Sequence, residues 1–266
     1  KTIPFDDPKT LSLFSSTEGI GLTPEQLQGD QVASLAVPEC GTKFVRGMLE
    51  DSRPQTFSDL VRISGFSHGT NVWLDNAQDL IKNGTCKLNE AISTRDDVMN
   101  FLIHRGMDRK HSFFVMENVR KGKGIEKRNK QGQATTEFEA EMRENNIPEW
   151  FIESCKKISY LFPRAHAVAY VMMAFRIAWF KVYHPLAFYA AYFSIRAKAF
   201  DLRIMTGDLK TQMTEFNRIK ALDRAASPKD KDLMSALEVS MEMYQRGYRF
   251  VNVDIQHSEA RRFSIK

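Results

Sequence analysis

The sequence predicts a mostly α-helical fold, and three observations carry that expectation. Apolar residues recur at three- and four-residue spacing through most of the 266 residues. Those stretches are punctuated as helices are, by Asp, Ser or Thr before them and Gly or Pro after them. Strand-like alternation is confined to the last stretch, GYRFVNVDI followed by RRFSI. The expected architecture is therefore a multi-helix body over residues 1–220 and a small αββ element over 221–266. With 42% hydrophobic and 27% charged residues, the composition is that of an ordinary globular chain.

The elements follow in order. Asp6 or Asp7 caps a first helix that begins at Pro8 and carries TLSLF as its apolar face. A second, short helix is expected from Thr23-Pro24-Glu25. From Pro38 the segment ECGTKFVRGMLEDSRP is helical, with Phe44, Met48 and Leu49 on one face, and ends before Pro54. Thr56 caps FSDLVRISG, which is expected to stop at Gly65 and give way to a loop, GFSHGTN. VWLDNAQDLIKNG reads as one helix closed by Gly84. Two more are expected over Leu88–Ile92 and Asp96–Arg105, the second capped by Ser93 or Thr94.

Ser112–Lys121 follows, with Phe113, Phe114, Met116 and Val119 as its apolar set. The stretch RKGKGIEKRNKQGQATTE is almost without apolar residues and reads as an insertion, so residues 105–136 form a basic helix and loop. Helices resume at FEAEMRENN and at EWFIESCKKISYLF. Pro163 and Pro185 open two long helices, the first expected to turn Val168, Met172, Phe175 and Trp179 inward. Helices over Thr211–Leu222 and Lys231–Arg246 complete the set.

Several function classes lose ground here. Cys40, Cys86 and Cys155 are odd in number, far apart and without a CxxC pair, which argues against a disulfide framework or a zinc site and makes a reducing cytoplasm the default. The beginning, KTIPFDDPKT, lacks the pattern of a signal peptide. The apolar stretch after Leu161 is interrupted by Arg176, Lys181 and Pro185, so it reads as core helix and no membrane association is expected. Asp6–Asp7 and Asp96–Asp97 are adjacent acids, but both pairs stand where helix starts favour acids. Neighbours along a helix do not face each other, so neither pair makes an evident two-metal site. No Ser/His/Asp or Cys/His set stands out. On its own residues the chain is not catalytically complete.

Charge placement is more informative than the net +5. Arg105–Lys130 holds nine cations against three acids, and Lys156–Arg203 holds eight against Asp201 alone. Such segregation fits either a polyanion binder or two solvated basic faces. Within it, the start of the helix after Pro163 is the sharpest candidate site. Its open N–H groups and dipole favour an anion, Arg164 adds a forked donor, and His166 and Tyr170 fall one turn apart on one face. A core helix with a satisfied histidine and an arginine reaching to solvent is the competing reading. Ser67 and His68, between Gly65 and Gly69, could approach a ligand or simply join two helices. Arg120, Lys121 and Lys123 could line a nucleic-acid backbone or form a plain solvated loop, and their spacing is not that of a P-loop.

Three longer strings are more specific than any of these patterns: IPFDDPKTLSLFSSTEGIGL, ECGTKFVRGMLEDSRPQTFSDLVRISGFSHGTNVW and FPRAHAVAYVMMAFRIAWFKVYHPLAFYAAYFS. In order and over nearly the whole chain they resemble the bacterial C-family replicative polymerases, the PolC-type alpha subunit of DNA polymerase III, in the part that forms the fingers domain. The resemblance implies a Mg²⁺-dependent, template-directed enzyme adding dNTPs to a primer 3′ end in the cytoplasm, with fingers that bind the incoming dNTP and primer–template DNA. It places Phe162, Arg164, His166 and Tyr170 in the nucleotide-pocket helix and Ser67 and His68 near the nucleobase. Arg120, Lys121, Lys123, Lys43 and Arg46 are the candidate DNA contacts. The Mg²⁺-binding aspartates belong to a palm domain that precedes this stretch in the family. A helix–hairpin–helix module follows the αββ end, and a sliding clamp and other replisome proteins join through the full-length polymerase. The chain alone is accordingly expected not to polymerise. TLSLF is similar to the clamp pentapeptide, with Thr10 where glutamine is usual, but its place on a helix makes it core. A non-catalytic helical DNA-binding module that retains a polymerase-like sequence is the alternative.

Overall fold

The computed structural model describes residues 2–128 and 134–266. In chain order the helices are α1 (Pro8–Ser12), α2 (Lys43–Ser52), α3 (Phe57–His68), α4 (Gln78–Lys82), α5 (Arg95–His104) and α6 (Arg109–Arg120). Two short strands, β1 (Lys127–Arg128) and β2 (Ala134–Thr135), pair antiparallel. Then come α7 (Glu137–Glu144), α8 (Glu149–Lys157), α9 (Arg164–Tyr183), α10 (Pro185–Ala191), α11 (Leu202–Met205), α12 (Leu209–Leu222) and α13 (Pro228–Gln245). The fold is mostly helical, as its caps and periodicity predict. The middle of the basic insertion, residues 129–133, lies outside the described residues.

Caps start α1, α3 and α5 where the sequence places them, while α13 begins at Pro228, three residues before the expected Lys231. Asp7 accepts the Thr10 N–H at 2.8 Å and opens α1, with Pro8 in its first turn. Thr56 with Asp59, Thr94 with Asp97, and Ser227 with Asp230 form reciprocal capping boxes at α3, α5 and α13. TLSLF is interior: Thr10, Leu13 and Phe14 are fully buried, which leaves no exposed clamp-binding peptide there.

Several expectations about elements need correction. The residues after Thr23 make only turns, because Gln28 and Gly29 turn left-handed at φ 61° and 100° and end the first turn. Leu88–Ile92 is also a turn: the Asp97 carboxylate holds the Ser93 and Thr94 N–H groups at 3.1 and 2.8 Å, keeping that chain extended. The helix expected over VWLDNAQDLIKNG is broken at Leu74, Asp75 and Asn76, which have non-helical backbones. There the buried Asn76 side chain bonds Asn71 C=O and Ser154 Oγ instead. α8 ends at Lys157 because the following residues pair with other chain segments, Tyr160 with Thr70 and Phe162 with Thr94. Finally, no strand forms after α13 among the described residues, so the expected C-terminal αββ element is only its helix. Phe250 and Phe263 pack into a ring cluster with Phe193 and Phe200, at 4.7–6.3 Å between centroids, and Phe263 N–H bonds Ser194 Oγ. The segment is fastened by aromatic side chains, not by a backbone ladder.

The chain divides into two compact units. One comprises residues up to Thr42 together with Ala174–Lys266. Its core gathers Phe188, Tyr189, Phe193, Met205, Ile219, Leu237 and Met241, with α12 packed on α13. At its centre Lys181, fully buried, donates to Ala33 C=O, Leu35 C=O and the Glu242 carboxylate at 2.8, 2.6 and 2.8 Å. Tyr189 donates to the other oxygen of Glu242 at 2.7 Å. All three ammonium protons therefore have acceptors, the condition under which a buried charge is tolerated.

The other unit, Lys43–Met173, packs α5 on α6 and stacks Phe101 on Phe151 at 4.1 Å. Along α9 the fully enclosed row is Ala167, Val171, Ala174, Ala178 and Lys181 with Phe175 beside it, not the row through Val168, Met172 and Trp179. Three alanines in that row let neighbouring segments approach closely, which large side chains would prevent. α9 is long and apolar enough to cross a membrane, with mean hydropathy 1.2, yet it carries Arg176 and the internally paired Lys181. That is the pattern of a core helix.

Candidate functional site

Ring packing in the Lys43–Met173 unit brings together residues far apart in sequence. α3 does not stop at Gly65 but continues to His68, so Ser67 and His68 sit in its last turn rather than in a loop. Gly65 marks a close approach: a Cβ there would stand 2.6 Å from Ser93 C=O. The extended chain Ser159–Pro163 is held on one side by Thr70 N–H to Tyr160 C=O at 3.0 Å and on the other by Arg95 N–H to Phe162 C=O at 3.1 Å. This fixes Phe162 against α3 and delivers Arg164, His166 and Tyr170 on the first turns of α9.

The rings that result form one patch. His68 lies 4.8 Å from Phe162 and 5.7 Å from Tyr170, at interplanar angles of 22° and 7°. Phe162 and Tyr170 are 6.2 Å apart at 22°. His166 meets both edge-on, at 5.1 and 4.9 Å, and is exposed, while the other three rings are half-buried. His68 Nδ1 lies 2.8 Å from Ser64 C=O and 3.0 Å from Ser67 Oγ. A carbonyl only accepts, so Nδ1 carries the proton and Nε2 is the acceptor of the neutral ring. Parallel π faces of this kind can receive a further flat ring.

The electrostatics differ from a bare helix end. Asp96 accepts the Arg164 N–H at 2.8 Å, so one of the open groups expected at the start of α9 already holds a carboxylate. Asp97 lies 3.9 Å from the Arg164 guanidinium and 3.6 Å from that of Arg62. The Arg164 side chain remains 43% exposed, which leaves it able to meet a ligand anion. Asp96 and Asp97 are what the sequence reading undervalued. Both stand at the start of α5, and only the fold shows that Asp96 also caps α9, 68 residues away.

The basic candidates separate from one another. Arg120 and Lys121 both pair with Glu117, at 2.8 Å each, and these bonds pull the Glu117 carboxyl down to about 2. Lys123 and Lys43 are exposed. Arg46 is only 5% exposed, so it faces the interior where a DNA contact would have to face solvent. The end of α6 adjoins the ring patch through Leu161 N–H to Arg120 C=O at 3.3 Å.

Among the described residues no group of three or more His, Cys, Asp or Glu is gathered that could hold a metal ion. Asp7 is engaged by Thr10 and Tyr183, and Asp97 by Ser93 and Thr94. All three cysteines are buried and free, with burial raising the Cys40 and Cys86 thiols to about 12 and about 11.

The described residues thus offer a ring patch and an adjoining cationic helix, and gather no metal cluster. Residues 1–146 match the family described as the bacterial DNA polymerase III alpha subunit finger domain, and the chain belongs to that family. Its relatives are of the PolC type. Over 265 residues, the whole of this chain, it is 54% identical to DNA polymerase III PolC-type of Caldanaerobacter subterraneus subsp. tengcongensis, covering 18% of that protein. It is 52% identical over 268 residues to DNA polymerase III PolC-type of Bacillus subtilis and 53% identical over 265 to that of Thermotoga maritima, covering 18% and 19% of them. The chain thus spans about a fifth of the length of these relatives.

Proposed function

We propose that this chain is the fingers part of a replicative DNA-directed DNA polymerase and holds the incoming dNTP and the primer–template junction. The observation that carries the proposal is the patch of His68, Phe162 and Tyr170 rings with Arg164 beside it, in a chain of the fingers family. The exposed edge of the patch receives the nucleobase by stacking, worth about 1–3 kcal/mol per base. The Arg164 guanidinium, its fork only loosely engaged at 3.9 Å by Asp97, turns to the triphosphate. His166, exposed one turn below Tyr170, is placed for a polar contact to the same ligand. Ser67 orients His68 by bonding its Nδ1 side. Lys121, Lys123, Lys43 and Arg120 supply charge toward the DNA backbone.

The described residues do not fit the divalent metal such a polymerase uses, since no acidic cluster is present to bind it. Mg²⁺ and the chemistry of bond formation then belong to other parts of the full-length polymerase. What this chain contributes is recognition: it binds the base and the triphosphate together, so that a correct pair is favoured when both contacts are made at once. The enzyme works in the cytoplasm, and the sliding clamp and other replisome proteins join through the full-length protein.

Template-directed primer extension tests this reading, comparing the full-length protein with the 266-residue chain. Extension by the full-length protein alone is expected. Extension by the isolated chain, or none by the full-length protein, would overturn it.

A further inference from the structure

The outer face of α6 has so far contributed only two cations, Arg120 and Lys121, to the proposed function. We propose that it is a stacking platform for single-stranded template, lying ahead of the nucleotide patch. The inference rests on the DNA-binding reading and gives it a second contact surface.

At about 100° per residue, Arg109, Arg120, Phe113, Glu117, Lys110, Lys121 and Phe114 fall within one arc of roughly 140°. The interior arc of the same helix holds Ser112, Val115, Met116 and Val119, all buried. Phe113 and Phe114, assigned to the core by their spacing with Met116 and Val119, are instead 48% and 44% exposed. Their rings meet edge-to-face at 6.1 Å and 65°.

Charge and residue type identify the occupant. The arc carries four cations and one acid, and that acid, Glu117, is held by two of the cations, Arg120 and Lys121. Its apolar members are aromatic only. Bases stack on aromatic rings while phosphates meet cations, and this face sets exposed rings among cations as a single strand requires. Arg109 to Lys121 spans about 18 Å along the axis, room for several bases at about 3.4 Å each. The C-terminal end of α6 is bonded to Leu161, one residue before Phe162 of the nucleotide patch. A strand lying along α6 is thereby led toward the place where the templating base would pair.

The test measures binding of the full-length protein to three DNAs: a primer–template with a long single-stranded overhang, the same overhang made abasic, and a blunt duplex. The double variant Phe113→Ala/Phe114→Ala is expected to weaken overhang binding by about tenfold or more and to leave the abasic and blunt DNAs unchanged. Phe113→Trp/Phe114→Trp is expected to retain wild-type binding. Unchanged overhang binding in the alanine variant would overturn the proposal. So would equal loss on all three DNAs, or a lowered melting temperature with DNA binding intact, the mark of a face covered by the rest of the protein. A wild-type protein that binds none of the three would instead overturn the DNA-binding reading beneath it.

Discussion

Asp97 shows how much one carboxylate can organise. Its Oδ2 accepts from Ser93 N–H, Ser93 Oγ, Thr94 N–H and Thr94 Oγ1, and its Oδ1 faces Arg62 and Arg164. Asp97→Ala should cost about 1–2 kcal/mol, read as a lowered urea midpoint, because the cap and its charge-assisted bonds vanish together. Glu117 offers a pH test. Hydrogen bonds from Arg120 and Lys121 hold it at about 2 against an ordinary 4.5. A lowered carboxylate stabilises the fold above the ordinary value and loses that contribution as pH falls toward the folded one. The stability gap between wild type and Glu117→Gln is therefore expected near pH 7 and should shrink between pH 4.5 and 2. Being near the surface, it should not exceed about 1 kcal/mol. Lys181 is the opposite case. Lys181→Met strands the Glu242 carboxylate in the interior and should cost about 3–5 kcal/mol by chemical denaturation, whereas Lys181→Met with Glu242→Leu should recover much of the loss.

Among the elements, helix starts were legible and several helix ends were not. Asp7, Thr56 and Thr94 cap through side-chain bonds within four residues, a rule that needs no tertiary knowledge. The end of α3 was missed because Gly65, which looks like a stop, is a point where two segments touch. The end of α8 was missed because Tyr160 and Phe162 are straightened by Thr70 and Thr94, partners some 70 to 90 residues away. Long-range pairing leaves no local signature. Gly65→Ala tests the contact directly: with Ser93 backbone 2.6 and 2.9 Å from the new Cβ, α3 must shift. A cost of about 1–3 kcal/mol is expected by thermal melting, with weaker nucleotide binding as His68 moves. The row of α9 was misjudged for a related reason, since Ala167, Ala174 and Ala178 carry little hydrophobic weight in a sequence yet fill the tightest positions.

At the scale of the whole molecule, the helical class and the family were both legible, the first from periodicity and the second from long strings such as FPRAHAVAY. The site was half legible. Phe162, His166 and Tyr170 do meet, as one-turn spacing requires, and His68 joins them, but the carboxylates around Arg164 come from another helix. The C-terminal alternation misled because Val251, Val253 and Ile255, 64%, 68% and 98% exposed, have no partner strand in the fold, and alternation alone cannot supply one. The central claim is that α9 begins a nucleotide site. Single-turnover incorporation by the full-length protein tests it most directly, measuring the apparent dNTP Kd for wild type, Arg164→Ala and Tyr170→Ala at saturating primer–template. Each substitution is expected to raise that Kd by about tenfold or more, and Arg164→Ala to slow incorporation as well, while primer–template affinity stays unchanged. An unchanged Kd and rate in both variants would contradict the account and remove α9 from the nucleotide site.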